Sequence, residues 1–97
     1  MLVTGCGTVG LLTMLSCRAA GATTVVCTDV VPAKLALATQ LGATAALPAR
    51  AAARDVLDAN AAAHYDVAIE CCGAEPALQL CVSAQTLEPY PGHLVTW

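Results

Sequence analysis

Val3-Thr4-Gly5-Cys6-Gly7-Thr8-Val9-Gly10 decides the reading of this chain. It is a Gly-x-Gly-x-x-Gly run. A short apolar run, Met1-Leu2-Val3, leads into it, and a helix-like apolar run, Leu11 to Ala20, leads out. Asp29 follows nineteen positions after Gly10, at the end of a second β-branched stretch, Thr23 to Thr28. Strand, glycine turn, helix, strand and acid in this order are the pattern of a dinucleotide site. Gly5 permits a tight turn out of the strand. Gly7 lets a pyrophosphate approach bare backbone. Gly10 lets the helix pack closely on the strand. The helix start offers unpaired N–H groups and a partial positive charge to the phosphates, and Asp29 offers acceptors to the two hydroxyls of an adenosine ribose. A glycine turn that only packs is the bland alternative. A methyltransferase is a rival reading, but its loop usually follows an acid at the end of the first strand, and Val3-Thr4 stand there instead.

Composition narrows the classes. Ninety-seven residues suffice for one domain of modest size. Charged residues are 11% of the chain, well below the roughly 25% usual in soluble domains, so partners are expected to cover part of its surface. With no Phe and one Trp, the core falls to Leu, Val, Ala and Cys. Arg18, Lys34, Arg50 and Arg54 are too few for a nucleic-acid footprint. Met1 to Cys17 is uncharged, but it lacks a basic leader and carries three glycines in its first ten residues. A buried strand and helix explain it better than a signal peptide or a span, and a cytoplasmic protein is expected, with no membrane partner. The six cysteines, Cys6, Cys17, Cys27, Cys71, Cys72 and Cys81, show no Cys-x-x-Cys spacing, and His64 and His93 stand apart from them. No zinc pattern results. Cysteines in apolar runs behave as small buried hydrophobes.

Periodicity predicts strands at Met1–Thr4, Thr24–Thr28, Ala43–Leu47, Asp66–Glu70 and Leu94–Thr96. It predicts helices at Thr8–Ala20, from Pro32 to about Leu41, at Arg50–Ala63 and at Glu75–Ala84. Val9, Leu12, Leu15 and Ala19 form the expected inner face of the first helix; Leu35, Ala38 and Leu41 form that of the second. Arg54 and Asp58 are spaced to pair on the third. Strict alternation of strands and helices predicts an α/β domain with a doubly wound, Rossmann-type parallel sheet. Its five strands should run in the order 3-2-1-4-5, with helices on both faces.

Four ordered blocks carry a family resemblance. They are Val3 to Leu12; Arg18-Ala19-Ala20-Gly21-Ala22 with Val25 to Asp29; Lys34 to Ala38 with Leu41-Gly42-Ala43; and Asp66-Val67-Ala68-Ile69-Glu70-Cys71-Cys72-Gly73-Ala74-Glu75. On them, nearly the whole chain resembles the cofactor domain of the zinc-dependent medium-chain dehydrogenases. Within that family it is most similar to sorbitol, xylitol and arabinitol dehydrogenases. The resemblance implies that Gly5, Gly7 and Gly10 make the phosphate turn, with the backbone of Thr8 and Val9 facing the pyrophosphate. It implies that Asp29 holds the ribose and favours NAD over NADP, because a 2′-phosphate would meet a carboxylate. Lys34 touches the same ribose, and Cys71, Cys72 and Gly73 line the adenine side. Glu70 reads as structural, holding a loop, rather than as an acid–base group. His64 and His93 read as uninvolved.

Departures from the family pattern are Thr8, Cys72, the long stretch Gln85 to Gly92, and a last strand ending Thr96-Trp97 where the family continues Val-Gly. The family's separate catalytic domain supplies Cys, His and Glu ligands to zinc, which polarises the substrate hydroxyl. None of those ligands is present in this chain. The expectation is therefore an NAD-binding domain over residues 1–97, truncated at both ends, with no catalytic or metal-binding residue of its own. The implied full-length enzyme is a homo-oligomer acting on a polyol or secondary alcohol. The other reading is a non-catalytic nucleotide-binding or interaction module.

Overall fold

The structure, a computed structural model, describes residues 1–51, 53–60, 65–85 and 93–96. Nine elements alternate along it: β1 (Leu2–Thr4), α1 (Thr8–Ala19), β2 (Val26–Asp29), α2 (Pro32–Gln40), β3 (Ala45–Pro48), α3 (Ala53–Asp58), β4 (Val67–Glu70), α4 (Glu75–Ala84) and β5 (His93–Thr96). The strands form one parallel sheet in the order β3-β2-β1-β4-β5, as the alternation predicts. β1 is central. Leu2 pairs with Val26 on one side and Ala68 on the other.

Successive strand residues point to opposite faces, and the core divides accordingly. Val3, Val25 and Cys27 pack with Met14 and Cys17 of α1 and Ala38 of α2. Leu2, Val26 and Ala68 pack with Val56 of α3, Cys81 and Ala84 of α4, and Tyr65. Both clusters are built from small and medium side chains. Among the described residues Tyr65 is the largest that is fully buried, and its hydroxyl donates to the Val56 carbonyl at 2.5 Å.

Three sequence expectations need correction. The inner face of α1 is Gly10, Met14 and Cys17, whereas Leu12 is 58% exposed and Leu15 38%. Gly10 is why. A Cβ placed there would lie 1.7 Å from the Gly5 carbonyl oxygen, so α1 meets the sheet along the line of Gly10 rather than along its leucines. On α2, Ala38 is buried and Leu35 partly so, but Leu41 is exposed. β2 and β3 start two residues late, at Val26 and Ala45, after the turns that close the preceding helices. Gly21 N–H donates to Arg18 O and Ala22 N–H to Cys17 O; Gly42 N–H donates to Thr39 O and Ala43 N–H to Ala38 O. These are paired helix-ending bonds around left-handed glycines, with φ +99° at Gly21 and +110° at Gly42.

Of the expected helix at Arg50–Ala63, the part from Ala53 to Asp58 is helical; residues 61–64, and with them His64, lie outside the described residues. So do residues 86–92 and Trp97, which include most of the Gln85–Gly92 departure. The Arg54–Asp58 pair forms at 3.1 Å, open to solvent. No described helix is long and apolar enough to cross a membrane.

Candidate functional site

The carboxyl ends of four strands meet around one cleft. Gly5 follows β1, Asp29 ends β2, Ala49 follows β3 and Cys72 follows β4. In an open parallel sheet this crevice, beside the strand where the order reverses, is where ligands bind. A cavity of about 250 Å³ opens there, lined by Gly5, Thr28, Asp29, Val30, Ala49 and Cys72, with Ala74, Pro76, Ala77 and Leu80 from the start of α4. Its walls are largely apolar and suit a flat base. Below the roughly 300–1,000 Å³ of a whole small-molecule pocket, it suits one end of an extended ligand. A wider groove of about 540 Å³ lies along Val9, Leu12, Thr13 and Ser16 of α1, against Met1 and Ile69. Neither Asp29 nor the glycines of the turn line that groove, so the site belongs to the smaller cavity.

The turn is built as its glycines demand. Gly5 sits at φ +93° and its N–H donates to Thr28 O at 2.7 Å, tying the turn to β2. Gly7 precedes α1 in extended conformation, with no side chain capping the helix. A Cβ at Gly7 would meet nothing within 4 Å, so the space above its backbone is open. The first intrahelical bond of α1 runs from Leu11 N–H to Gly7 O at 2.9 Å, so the amides of Thr8 and Val9 precede the ladder. No acidic side chain lies in this first turn to offset the helix dipole. Backbone donors, positive potential and open space form a cradle for a pyrophosphate. The Val9 side chain turns away from it into the wider groove.

Asp29 is tied on both oxygens. Cys6 N–H donates to Oδ2 at 2.7 Å and Val31 N–H to Oδ1 at 2.8 Å. The carboxylate thus joins the glycine turn to the approach of α2, and each oxygen keeps a lone pair for a further donor. Lys34 stands exposed in the first turn of α2, its N–H donating to Val31 O. Exposed Val30 beside Asp29, with Pro76, Ala77 and Leu80 across the cavity, completes walls that the sequence pattern did not single out. Apolar residues after a strand give no periodic signal of a binding wall.

Across the cleft, Cys71 N–H donates to Thr4 O at 2.8 Å and extends the β1–β4 ladder by one bond. The Cys71 side chain packs into the α1-side core, and Cys72 lines the cavity. Glu70, 4% exposed, accepts from Cys72 N–H at 2.6 Å and from Gly73 N–H at 3.0 Å. Burial pushes its carboxyl up, but these N–H groups, with Cys72 and Thr4 side chains, pull it below its ordinary value. It stays charged and holds its own loop, which is the structural role its sequence context implies. In the core behind the turn, a hydrogen bond donated to Cys6, then burial, pushes the Cys27 thiol far up. It packs as a neutral side chain. Among the described residues, no group of three or more His, Cys, Asp or Glu is placed to hold a metal ion, so zinc chemistry has no ligands in them.

Comparison with known proteins agrees with this geometry. The family model described as zinc-binding dehydrogenase matches residues 8–94. L-arabinitol 4-dehydrogenase of Aspergillus oryzae is 58% identical over 36 residues, which are 37% of this chain and 9% of that protein. Among solved structures, L-idonate 5-dehydrogenase of Escherichia coli superposes with a TM-score of 0.80 at 26% identity, over 98% of this chain and 26% of that one. A structure described as a zinc-binding dehydrogenase of Sinorhizobium meliloti, bound to NADP, superposes at 0.81 with 33% identity, over 98% and 28%. The chain thus spans about a quarter of the length of these solved dehydrogenases. Its sheet order is that of the family's cofactor-binding domain, and the chain belongs to the zinc-binding dehydrogenase family.

Proposed function

We propose that this chain binds NAD(H) and forms the cofactor half of a dehydrogenase acting on a polyol or secondary alcohol. The observation that carries the reading is the convergence, at the strand ends, of the open backbone at Gly7, the uncompensated start of α1 and the Asp29 carboxylate. Gly5 and Gly7 with the amides of Thr8 and Val9 receive the pyrophosphate, and Gly10 lets α1 close on the turn that presents them. The free lone pairs of Asp29 accept from the ribose hydroxyls, with Lys34 beside them, and the adenine enters the cavity walled by Cys72, Pro76 and Leu80 next to the Cys71–Gly73 loop. When bound, the nicotinamide supplies the acceptor for a hydride from the carbon bearing the alcohol. The chain's own part is to bind and orient, since among the described residues no cluster is placed to hold zinc.

Asp29 supports NAD over NADP, because a 2′-phosphate would sit against its carboxylate. Calorimetric titration of the purified chain with each dinucleotide tests this. NAD should bind at least about tenfold more tightly, and Asp29→Asn should narrow the ratio by removing the charge while keeping one acceptor. No binding of NAD, or a preference for NADP, overturns the proposal.

A further inference from the structure

The cleft has two sides, the glycine turn after β1 and the Cys71–Gly73 loop after β4, and one buried side chain touches both. Glu70 Oε1 accepts from Cys72 N–H at 2.6 Å and Gly73 N–H at 3.0 Å, and Oε2 accepts from Gly73 N–H at 3.0 Å. Thr4 Oγ1, next to Gly5, donates to Oε1 across a longer 3.5 Å. The two sides are already in contact. A Cβ on Gly5 would stand 3.0 Å from the Cys72 Cβ and 3.2 Å from the Cys72 nitrogen. Gly73 holds φ +74°, so the loop reverses immediately after meeting the carboxylate. The titratable groups around Glu70 are the thiols of Cys71 and Cys72 in its own loop and of Cys81 on α4. Thr4 Oγ1 also lies 3.6 Å from the Cys81 sulfur. Burial pushes all three thiols up, which leaves the carboxylate as the charged member of the cluster.

We propose that Glu70 is a positioning residue for the adenosine half of the dinucleotide: its carboxylate clamps the Cys72 and Gly73 amides to the end of β1 and thereby sets the distance between the base wall and the phosphate turn. This rests on the reading of the cleft as a dinucleotide site. Glu70 is buried beneath the loop and acts through Cys72 and Gly73 rather than by contact with the ligand. A glutamine at this position keeps the length but presents one NH₂ where two acceptor oxygens now meet N–H groups. An aspartate keeps the charge but falls one methylene short of the loop. Both leave a clamp that no longer satisfies all of its donors.

The test is calorimetric titration of the unaltered chain, Glu70→Gln and Glu70→Asp with two probes, ADP-ribose and nicotinamide mononucleotide, at neutral pH. Circular dichroism establishes that each protein is folded at the titration temperature, and Glu70→Asp serves if Glu70→Gln does not fold. The substitutions should weaken ADP-ribose by about tenfold, the order expected for losing hydrogen bonds to a charged group, and change nicotinamide mononucleotide by less than about twofold. Folded variants that bind ADP-ribose as the unaltered chain does overturn the proposal and leave the site reading intact. Equal losses for both probes overturn it too, because they mark general loosening. An unaltered chain that binds no ADP-ribose overturns the site reading and this proposal with it.

Discussion

Gly10 and Gly7 belong to one motif, yet the structure gives them opposite jobs, and alanine at each position separates them. At Gly10 an added Cβ would stand 1.7 Å from the Gly5 carbonyl oxygen and 2.7 Å from its carbon. Even close C–H···O contacts keep roughly 3.3 Å, so α1 would have to retreat by about 1.6 Å. The obstacle is backbone, and Gly5 holds a φ of +93°, so the turn has little freedom to give way. Retreat would pull Met14 and Cys17 from the core. Overpacking typically costs about 1–3 kcal/mol, and a clash with backbone lies at or above the top of that range. Alanine's helix preference returns about 1 kcal/mol, leaving a loss of roughly 2–3 kcal/mol. For a domain of this size that lowers Tm by about 10–20 °C.

At Gly7 the same methyl meets nothing within 4 Å, and φ −74°, ψ −168° suits any residue. Gly7→Ala should hold or slightly raise Tm, by up to roughly 1 kcal/mol of lost unfolded-state freedom, while weakening NAD more than about tenfold by filling the phosphate's space. Thermal unfolding followed by circular dichroism, paired with NAD titration, measures both. A Gly10→Ala protein melting within a degree or two of the parent would refute the packing account. A Gly7→Ala protein with undiminished NAD affinity would refute the phosphate account.

Other outcomes follow from the same structure. Tyr65→Phe removes the donor to Val56 O and should cost about 1–2 kcal/mol in urea unfolding. Burial pushes the Tyr65 hydroxyl up to about 12, so the unfolded chain loses this proton first as pH rises past 10, and stability should fall more steeply across that window in the parent than in the phenylalanine variant, where only the buried thiols contribute. Glu70 has the reverse sign: its folded carboxyl is held below its ordinary value, so its contribution is present at neutral pH and is lost as acid protonates it. Urea midpoints below pH 4.5 should therefore drop more steeply for the parent than for Glu70→Gln. Arg54→Ala breaks an ion pair whose side chains are 81% and 60% exposed, and a midpoint change above about 0.5 kcal/mol would contradict its solvated placement.

The sheet order and the cleft were legible because their signals are local. The glycine turn, the acid at Asp29 and Pro76 at the start of α4 each announce a backbone event where it happens, and α4 runs from Glu75 to Ala84 as expected. The face of α1 was not legible from its leucines. A hydrophobic stripe marks what a helix could bury, whereas Gly10 marks where it comes closest, and closeness decided the orientation. The late start of β3 was hidden because Ala43 looks like a strand residue while its N–H closes the preceding helix. The third helix lies in an alanine-rich stretch with no contrast between faces, so its ends left no mark. The clamp at Glu70 has its parts in one short segment, yet its partner Thr4 is 66 residues away, a separation that no local pattern reports.

That separation also bears on how the chain is made. The central strand β1 leaves the ribosome well before its β4 neighbour, which follows only after some 66 residues have been added. At about 5–20 residues per second, one edge of Leu2-Val3-Thr4 waits roughly 3–13 s for its partner. Throughout that interval β1 presents one apolar, unpaired edge, and parallel strands of this kind close slowly even when both are available. The glycine turn is thus flanked, during synthesis, by an apolar strand edge that awaits its partner.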